Sequence, residues 1–123
     1  MTQSYRDLFV WQRAMDVAVE TYRLTGVFPK DEAYGLVSQM RRASVSIASN
    51  IAEGEGRKAK KEFAHFITIA LGSKAELETQ LDLCERVQLL KAADTKDIKK
   101  SLDDIGKMLT SLKRKLNVVE SEN

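Results

Sequence analysis

The sequence has few of the residues on which several classes of protein depend. It contains one cysteine, one proline, one histidine and six glycines in 123 residues. The single cysteine, Cys84, excludes an internal disulfide and favours a reducing compartment. The single histidine, His65, has only Glu53 and Glu62 as candidate co-ligands, which is a weak set for a metal site. We therefore expect neither a disulfide scaffold nor a metalloprotein.

Long apolar runs are also missing. The stretch MTQSYRDLFVWQRAMD at the start is interrupted by Arg6, Asp7, Arg13 and Asp16, so it lacks the apolar core of a secretory signal. No later stretch is apolar over the length that a membrane span needs. The sequence therefore predicts a cytoplasmic protein that does not contact the membrane.

Neither sign of charge dominates the chain. The 20 Lys and Arg residues against 18 Asp and Glu residues leave a net charge of +2, which by itself does not predict a nucleic-acid partner. The basic residues are nevertheless clustered, since four of the five residues from 57 to 61 are basic and Lys113, Arg114 and Lys115 form a second cluster. Ordinary solvated helix faces are the alternative explanation of both clusters.

What the sequence does contain is helical periodicity. Apolar residues recur every three or four positions over about 7–25 and again over about 31–53, which predicts two amphipathic helices. The apolar stripe of the first is Leu8, Trp11, Met15, Ala18, Val19 and Tyr22, and that of the second is Leu36, Met40, Ala43, Ile47 and Ile51. The segment Gly54-Glu55-Gly56 follows. Either glycine can take a positive φ, so we expect the chain to reverse there.

A third helix is predicted over about 58–90 and a fourth over about 95–119. The apolar face of the third is wider than one partner helix needs, so we expect it to be buried on two sides. Gly72 in its middle predicts a close helix–helix contact. The fourth has an unbroken seam, and the tail 120–123 is expected to fray. The seam consists of Ile98, Leu102, Ile105, Leu109, Leu112, Leu116 and Val119.

Short connections join the four predicted helices. Helices joined in this way pack antiparallel to their sequence neighbours. The sequence therefore predicts an all-α fold, a single up-down-up-down antiparallel four-helix bundle that spans residues 1–123.

A polar line runs along the second predicted helix beside its apolar stripe. Folding the third helix back about the glycines places Arg42 near Ser73 and Glu76, and it places Asn50 near Glu62 and His65. This polar seam is either a ladder of hydrogen bonds and ion pairs, between helices or between subunits, or a groove for a ligand or nucleic acid. Its members are Gln39, Arg42, Ser46, Asn50, Glu53, Glu62, Ser73 and Glu76.

No residue pattern predicts catalysis. Ser46 and Ser49 lie inside a helix without a triad or a nucleophile elbow. Cys84 lies on an apolar stripe, where a thiol behaves as a small hydrophobic group. We therefore expect no enzyme, no catalytic residue, no bound metal and no cofactor.

The basic residues are the better lead to a function. We expect six of them to line one end of the bundle and to contact phosphates, helped by the amino-terminal dipole of the third helix. These candidates are Arg41, Arg42, Arg57, Lys58, Lys60 and Lys61. No zinc-finger, helix-turn-helix or RNA-recognition signature is present, so binding of RNA or DNA would read charge and shape. A nucleic-acid enzyme is the other partner that this basic surface would bind. The alternative function is a scaffold that assembles with itself or with a protein partner and binds no nucleic acid.

Several stretches of the sequence form a distinctive set: FPKDEAYGLVSQMRRASVSIASNIAEG, then GR, KKEF and ALGSKAELETQL, with VWQRA in the first helix. Together they resemble the bacterial four-helix-bundle family named for proteins encoded in intervening sequences of 23S ribosomal RNA genes. The resemblance covers Leu8 to about Leu90, and the fourth helix fits in pattern only. It implies a fold similar to the accessory variability determinant of diversity-generating retroelements and a homopentameric barrel of four-helix protomers. Nucleic-acid binding is the role usually suggested for the family.

Two positions depart from the family pattern. Ala59 stands where the family often has Ser, which removes a helix cap. Lys74 stands where the family often has an apolar residue, and a lysine stem can lie along apolar surface with its ammonium in water. The resemblance places the family's polar set on Gln39, Arg41, Arg42, Ser46, Asn50, Glu53, Gly54, Arg57, Glu62, Phe63, Gly72, Ser73 and Glu76.

Overall fold

A computed structural model describes residues 4–121, apart from the side chains of residue 33 and residues 118–121. Within that range the chain forms four long α-helices and no strand. They are α1 (Phe9–Thr25), α2 (Ser38–Gly56), α3 (Lys60–Arg86) and α4 (Ala92–Ser121). Short 3-10 turns at Tyr5–Asp7 and Lys30–Glu32 and a π-helical turn at Ala33–Val37 precede α1 and α2.

The four helices pack in a ring in which each contacts its sequence neighbours and α1 also contacts α4. This arrangement confirms the predicted four-helix bundle. Complete burial of one large aliphatic side chain contributes about 1.5–3 kcal/mol, so the shared core supplies most of the stability. The largest fully buried apolar side chains are Val17, Met40, Ile47, Ile51, Ile67, Leu77, Leu81, Leu102, Ile105 and Leu109.

The buried stripe of α1 differs from the predicted one. Met15, Val19 and Tyr22 were predicted to be buried, but they are 41%, 67% and 47% exposed. The core instead receives a stripe that includes Ala14 and Thr21. Thr21 tolerates burial because its hydroxyl donates to the backbone oxygen of Val17 at 2.8 Å. Since apolar residues cover more than half of this helix, two stripes were available and the sequence pattern favoured the wrong one.

The junction of α2 and α3 also corrects the prediction. The chain does not reverse at Gly54 or Gly56, because α2 continues through both, and the left-handed residue is Lys58, with φ of 63°. The glycine at position 54 has a different role. A Cβ there would lie 2.7 Å from Phe66 Cβ and 3.0 Å from Phe63 Cδ1. Gly54 is therefore needed for the close approach of α2 to α3.

Gly72 does not make the close helix contact that the sequence predicted. A Cβ at Gly72 would have no neighbour within 4 Å. The wide apolar face of α3 does pack against two helices, α2 and α4, as predicted, and Val87 at its end is exposed. The helix ends at Arg86 rather than near residue 90, because Gln88 takes a φ of 65°.

The remaining helix ends shift by several residues. Residues 31–37, predicted as the start of the second helix, lie in the 3-10 and π-helical turns before α2. α4 begins at residue 92, where the backbone nitrogen of Lys91 donates to Asp94 Oδ2 at 2.9 Å. It continues to Ser121, so residues 120 and 121 of the tail predicted to fray are helical. The last two residues, and the predicted seam side chain of Val119, lie outside what the structure describes.

Candidate functional site

The six basic candidates do not line one end of the bundle. Arg41 and Arg42 lie in the first two turns of α2, and Arg57 follows its last residue. The 15 residues from Arg42 to Arg57 correspond to about 22 Å along a helix. The prediction of a single basic end is therefore wrong, and the candidates form two separate groups.

Arg41 holds α1 to α2. Its Nε donates to Thr25 Oγ1 at 3.0 Å, its Nη2 donates to the Tyr22 backbone oxygen at 3.4 Å, and its guanidinium lies 4.4 Å from the centre of the Tyr22 ring. These groups lie in the last turn of α1, where the helix dipole favours a cation. Arg42 is exposed and donates to Ser38 Oγ at 3.1 Å. The guanidinium of Arg41 is thus engaged within the protomer.

The second group, Arg57, Lys58, Lys60 and Lys61, forms a basic turn between α2 and α3. Arg57 pairs with Glu53 at 2.8 Å and covers the Phe66 ring at 5.1 Å, and Lys58 pairs with Glu55 at 3.3 Å. Lys60 and Lys61 are exposed, and no ion pair among the described residues involves either of them. The unneutralised charge of the basic turn therefore lies on these two lysines.

The amino terminus of α3 adds to this positive charge. Ala59 occupies the N-cap position, and its side chain accepts no hydrogen bond. This agrees with the prediction that alanine in place of serine removes the helix cap. The first amides of an uncapped helix and its dipole both favour an anion. Because α4 runs antiparallel to α3, the second basic cluster of Lys113, Arg114 and Lys115 lies toward the same end of the bundle. The two clusters that the sequence left unconnected therefore share one end.

The polar seam forms one bridge between helices rather than a ladder. Ser46 Oγ and Ser73 Oγ are 2.8 Å apart across α2 and α3. Asn50 Nδ2 donates back to the Ser46 oxygens, at 2.8 Å to the carbonyl and 2.9 Å to the hydroxyl, and does not reach the predicted partners Glu62 and His65. This part of the seam sets the register of α2 against α3.

The rest of the polar seam lies in a small open cleft or points to solvent. A cleft of about 260 Å³ is lined by Gln39, Arg42, Ala43, Ser46 and Glu76. The predicted neighbourhood of Arg42 and Glu76 is thus observed. Glu62 is exposed, and no ion pair among the described residues includes it.

An exposed apolar face on α1 and α2 was missed by the sequence reasoning. We call it the α1–α2 face, and its members are Met15, Val19, Tyr22, Tyr34 and Val45. Tyr34, on the π-helical turn, is 98% exposed. Tyr22, Tyr34 and Val45 line an open groove of about 740 Å³, together with Arg41 and Arg42. The first helix has more apolar residues than one buried stripe can contain. That excess in the sequence could have predicted an exposed apolar face.

The groups able to perform chemistry are few. Cys84 is fully buried beside Met40, with the two sulfurs 3.6 Å apart, and burial raises the pKa of its thiol to about 11. Its thiolate, the nucleophilic form, is therefore scarce at neutral pH. His65 is exposed and forms a T-shaped contact with the Phe66 ring, at 5.7 Å between centroids. Among the described residues, no three His, Cys, Asp or Glu side chains converge as a metal site would require.

The described helices include none that is both long and apolar enough to cross a membrane.

Comparisons with known proteins place the chain in a family. The family model for the 23S rRNA-intervening sequence protein matches residues 6–111. A similar crystal structure is that of a protein of unknown function from the S23 ribosomal protein family of Bacteroides thetaiotaomicron. It is 24% identical, with a TM-score of 0.75 over 84% of this chain and 96% of that chain, a likeness that shows the fold alone. No curated protein matches the chain. Because the family model covers most of its length, the chain belongs to the 23S rRNA-intervening sequence protein family.

Proposed function

We propose that this chain is a non-enzymatic nucleic-acid-binding protein that works as a homo-oligomer and contacts phosphates through its basic turn. The observation that carries the proposal is the pair of exposed lysines, Lys60 and Lys61, that have no ion pair among the described residues and begin an uncapped helix. Cations and free helix amides are the groups that bind phosphates without reading sequence. The family's name refers to 23S rRNA, so RNA is the first nucleic acid to test.

Assembly is the second part of the proposal. The α1–α2 face leaves Met15, Val19, Tyr22 and Val45 exposed on neighbouring helices, and exposed apolar patches of this kind mark protein interfaces. Cyclic packing about an axis parallel to the helices places the basic turn of every copy at the same end. A ring of five is the assembly that the family resemblance implies. Repetition of the turn converts a weak single site into a stronger one through avidity.

The test replaces both unpaired lysines, as Lys60→Gln with Lys61→Gln, and measures RNA binding by fluorescence anisotropy over a range of salt concentrations. Removal of one phosphate contact to a single strand lowers the salt slope by about 0.7. For each copy of the basic turn that the RNA contacts, the double variant should therefore lower the slope by about 1.4 and weaken binding about 25-fold at about 0.1 M salt. The matched control is Lys96→Gln with Lys100→Gln, which removes the same charge from exposed positions on α4. Equal binding by the double variant and the control contradicts the proposal.

A protein scaffold without nucleic-acid binding is the second candidate function. Two observations favour it: the exposed apolar α1–α2 face, and the pairing of Arg57 and Lys58 with glutamates, which leaves half of the basic turn neutralised. The scaffold predicts an oligomer with no measurable affinity for RNA or DNA. Binding that weakens specifically in the Lys60→Gln, Lys61→Gln variant contradicts it.

A further inference from the structure

The groove between α3 and α4 carries a second group of cations. It has a volume of about 450 Å³ and opens to solvent along the two helices. Its lining combines three basic side chains with two hydroxyls and one carboxylate. These polar residues are Lys74, Lys107, Arg114, Thr110, Ser111 and Asp103, and Leu71 and Gly106 complete the lining.

Lys74 lies in the groove because Gly106 makes room for it. A Cβ at Gly106 would lie 2.6 Å from Lys74 Cε and 3.1 Å from its Nζ. The lysine side chain is only 17% exposed, and its ammonium donates to both carboxylate oxygens of Glu78, at 3.0 and 3.1 Å. The lysine that departs from the family pattern therefore lies in the groove, with its stem packed against α4.

The other groups of the groove have hydrogen-bond donors to spare. Arg114 forms no ion pair with any described carboxylate, and its guanidinium presents five donors. Lys107 pairs with Asp103 at 3.3 Å, but both side chains are mostly exposed, and such pairs contribute little. Among the described residues, no hydrogen bond occupies the hydroxyl of Thr110 or Ser111. The groove thus offers more donors than its own carboxylates accept.

The groove leads toward the basic turn. Arg114 lies seven residues beyond Lys107, which is about 10 Å along α4 in the direction of the end where α3 begins. Lys60 and Lys74 are 14 residues apart on α3, and two heptads on a straight helix rotate a position by only about 40°. Lys60 and Lys74 therefore lie on the same side of α3.

The other groove beside α4 has the opposite charge. Between α1 and α4 the lining includes Asp16, Glu20 and Asp97, and it contains no basic residue. A polyanion is repelled from that groove and attracted to the groove between α3 and α4. The two sides of α4 therefore differ in the ligand charge that they favour.

We propose that the groove between α3 and α4 binds the phosphates of the nucleic-acid strand whose end lies on the basic turn. Arg114 and Lys107 contact successive parts of the backbone, and Thr110 and Ser111 donate to phosphate oxygens. This inference rests on the proposed function and adds the path of the strand. The strand runs from Lys60 along the groove between α3 and α4, on the side of the bundle opposite the α1–α2 face.

The experiment compares a short and a long single-stranded RNA, of about 4 and about 16 nucleotides, which bracket common site sizes for single strands. The variant Lys107→Gln with Arg114→Gln should weaken binding of the long RNA about 25-fold at about 0.1 M salt and lower its salt slope by about 1.4. Its affinity for the short RNA should match that of the unmodified protein. The control is again Lys96→Gln with Lys100→Gln, whose positions do not line the groove.

The outcomes separate this inference from the function on which it rests. If the variant at Lys60 and Lys61 weakens both RNAs while the groove variant behaves as the control does, the groove inference is overturned and the proposed function stands. If neither variant weakens either RNA, both are overturned. A loss confined to the long RNA in the groove variant supports the inference. Circular dichroism of each variant confirms that the helices remain folded.

Discussion

The α1–α2 face and the groove between α3 and α4 differ in how they meet water. On α1 and α2, Val19 and Val45 are exposed, so a single chain leaves apolar surface uncovered, although the wide groove that Val45 lines also includes Arg41 and Arg42. On α3 and α4, the groove is lined mainly by charged and hydroxyl side chains such as Lys107 and Ser111. From this difference we propose that the first surface is covered by another copy and that the second remains in solvent, free to bind an anion.

We expect the largest effect from an aspartate placed on each of the two surfaces in turn. Val45→Asp places a carboxylate in the α1–α2 face, at a position already 42% exposed, so the bundle should fold but the oligomer should separate into chains of 13.9 kDa. Ser111→Asp places the same charge on the exposed α4 side and should leave the oligomer intact. Light scattering on both variants provides the measurement. Equal masses for the two variants contradict the difference between the surfaces.

Two glycine substitutions test which side of α3 packs against another helix, and we expect them to have smaller effects. Gly54→Ala inserts a methyl group against Phe66 and Phe63 and should lower the free energy of unfolding by about 1–3 kcal/mol, because the two helices must move apart. Gly72→Ala meets no neighbour and should raise it by about 1 kcal/mol through helix propensity. Urea titrations measure both values. Destabilisation by Gly72→Ala would mean that another copy covers the outer side of α3, which contradicts a solvent-exposed outer side.

The fold was predictable where a helix had one apolar stripe. The seam of the fourth helix is confirmed at Ile98, Leu102, Ile105 and Leu109, all buried, because its alternating spacing allowed one solution. The first helix had two overlapping stripes, and only packing against α2 and α4 decided between them. Gly54 shows a second limit, since a glycine needed for close packing and a glycine needed for a turn look the same in a sequence.

The candidate site was predictable in its residues more than in its arrangement. The basic turn was identified from the run of basic residues at 57–61, and the pairing of Arg57 with Glu53 follows the ordinary spacing of four on a helix. The length of α2 separates Arg42 from that turn through helical rise alone, so the single basic end was excluded by the predicted helix itself. No sequence pattern predicted the groove between α3 and α4, because the groove depends on how Lys74 packs against Gly106, 32 residues away.

The most direct test of an oligomer that binds nucleic acid is light scattering of the gently purified protein, with absorbance at 260 and 280 nm recorded across the same peak. We predict a mass several times the 13.9 kDa of one chain and an absorbance ratio above that of protein alone. High-salt washing should lower the ratio toward that of protein and leave the mass of the oligomer, because the phosphate contacts are electrostatic and the interface is apolar. A mass of one chain, with the absorbance ratio of protein alone, would contradict an oligomer that binds nucleic acid.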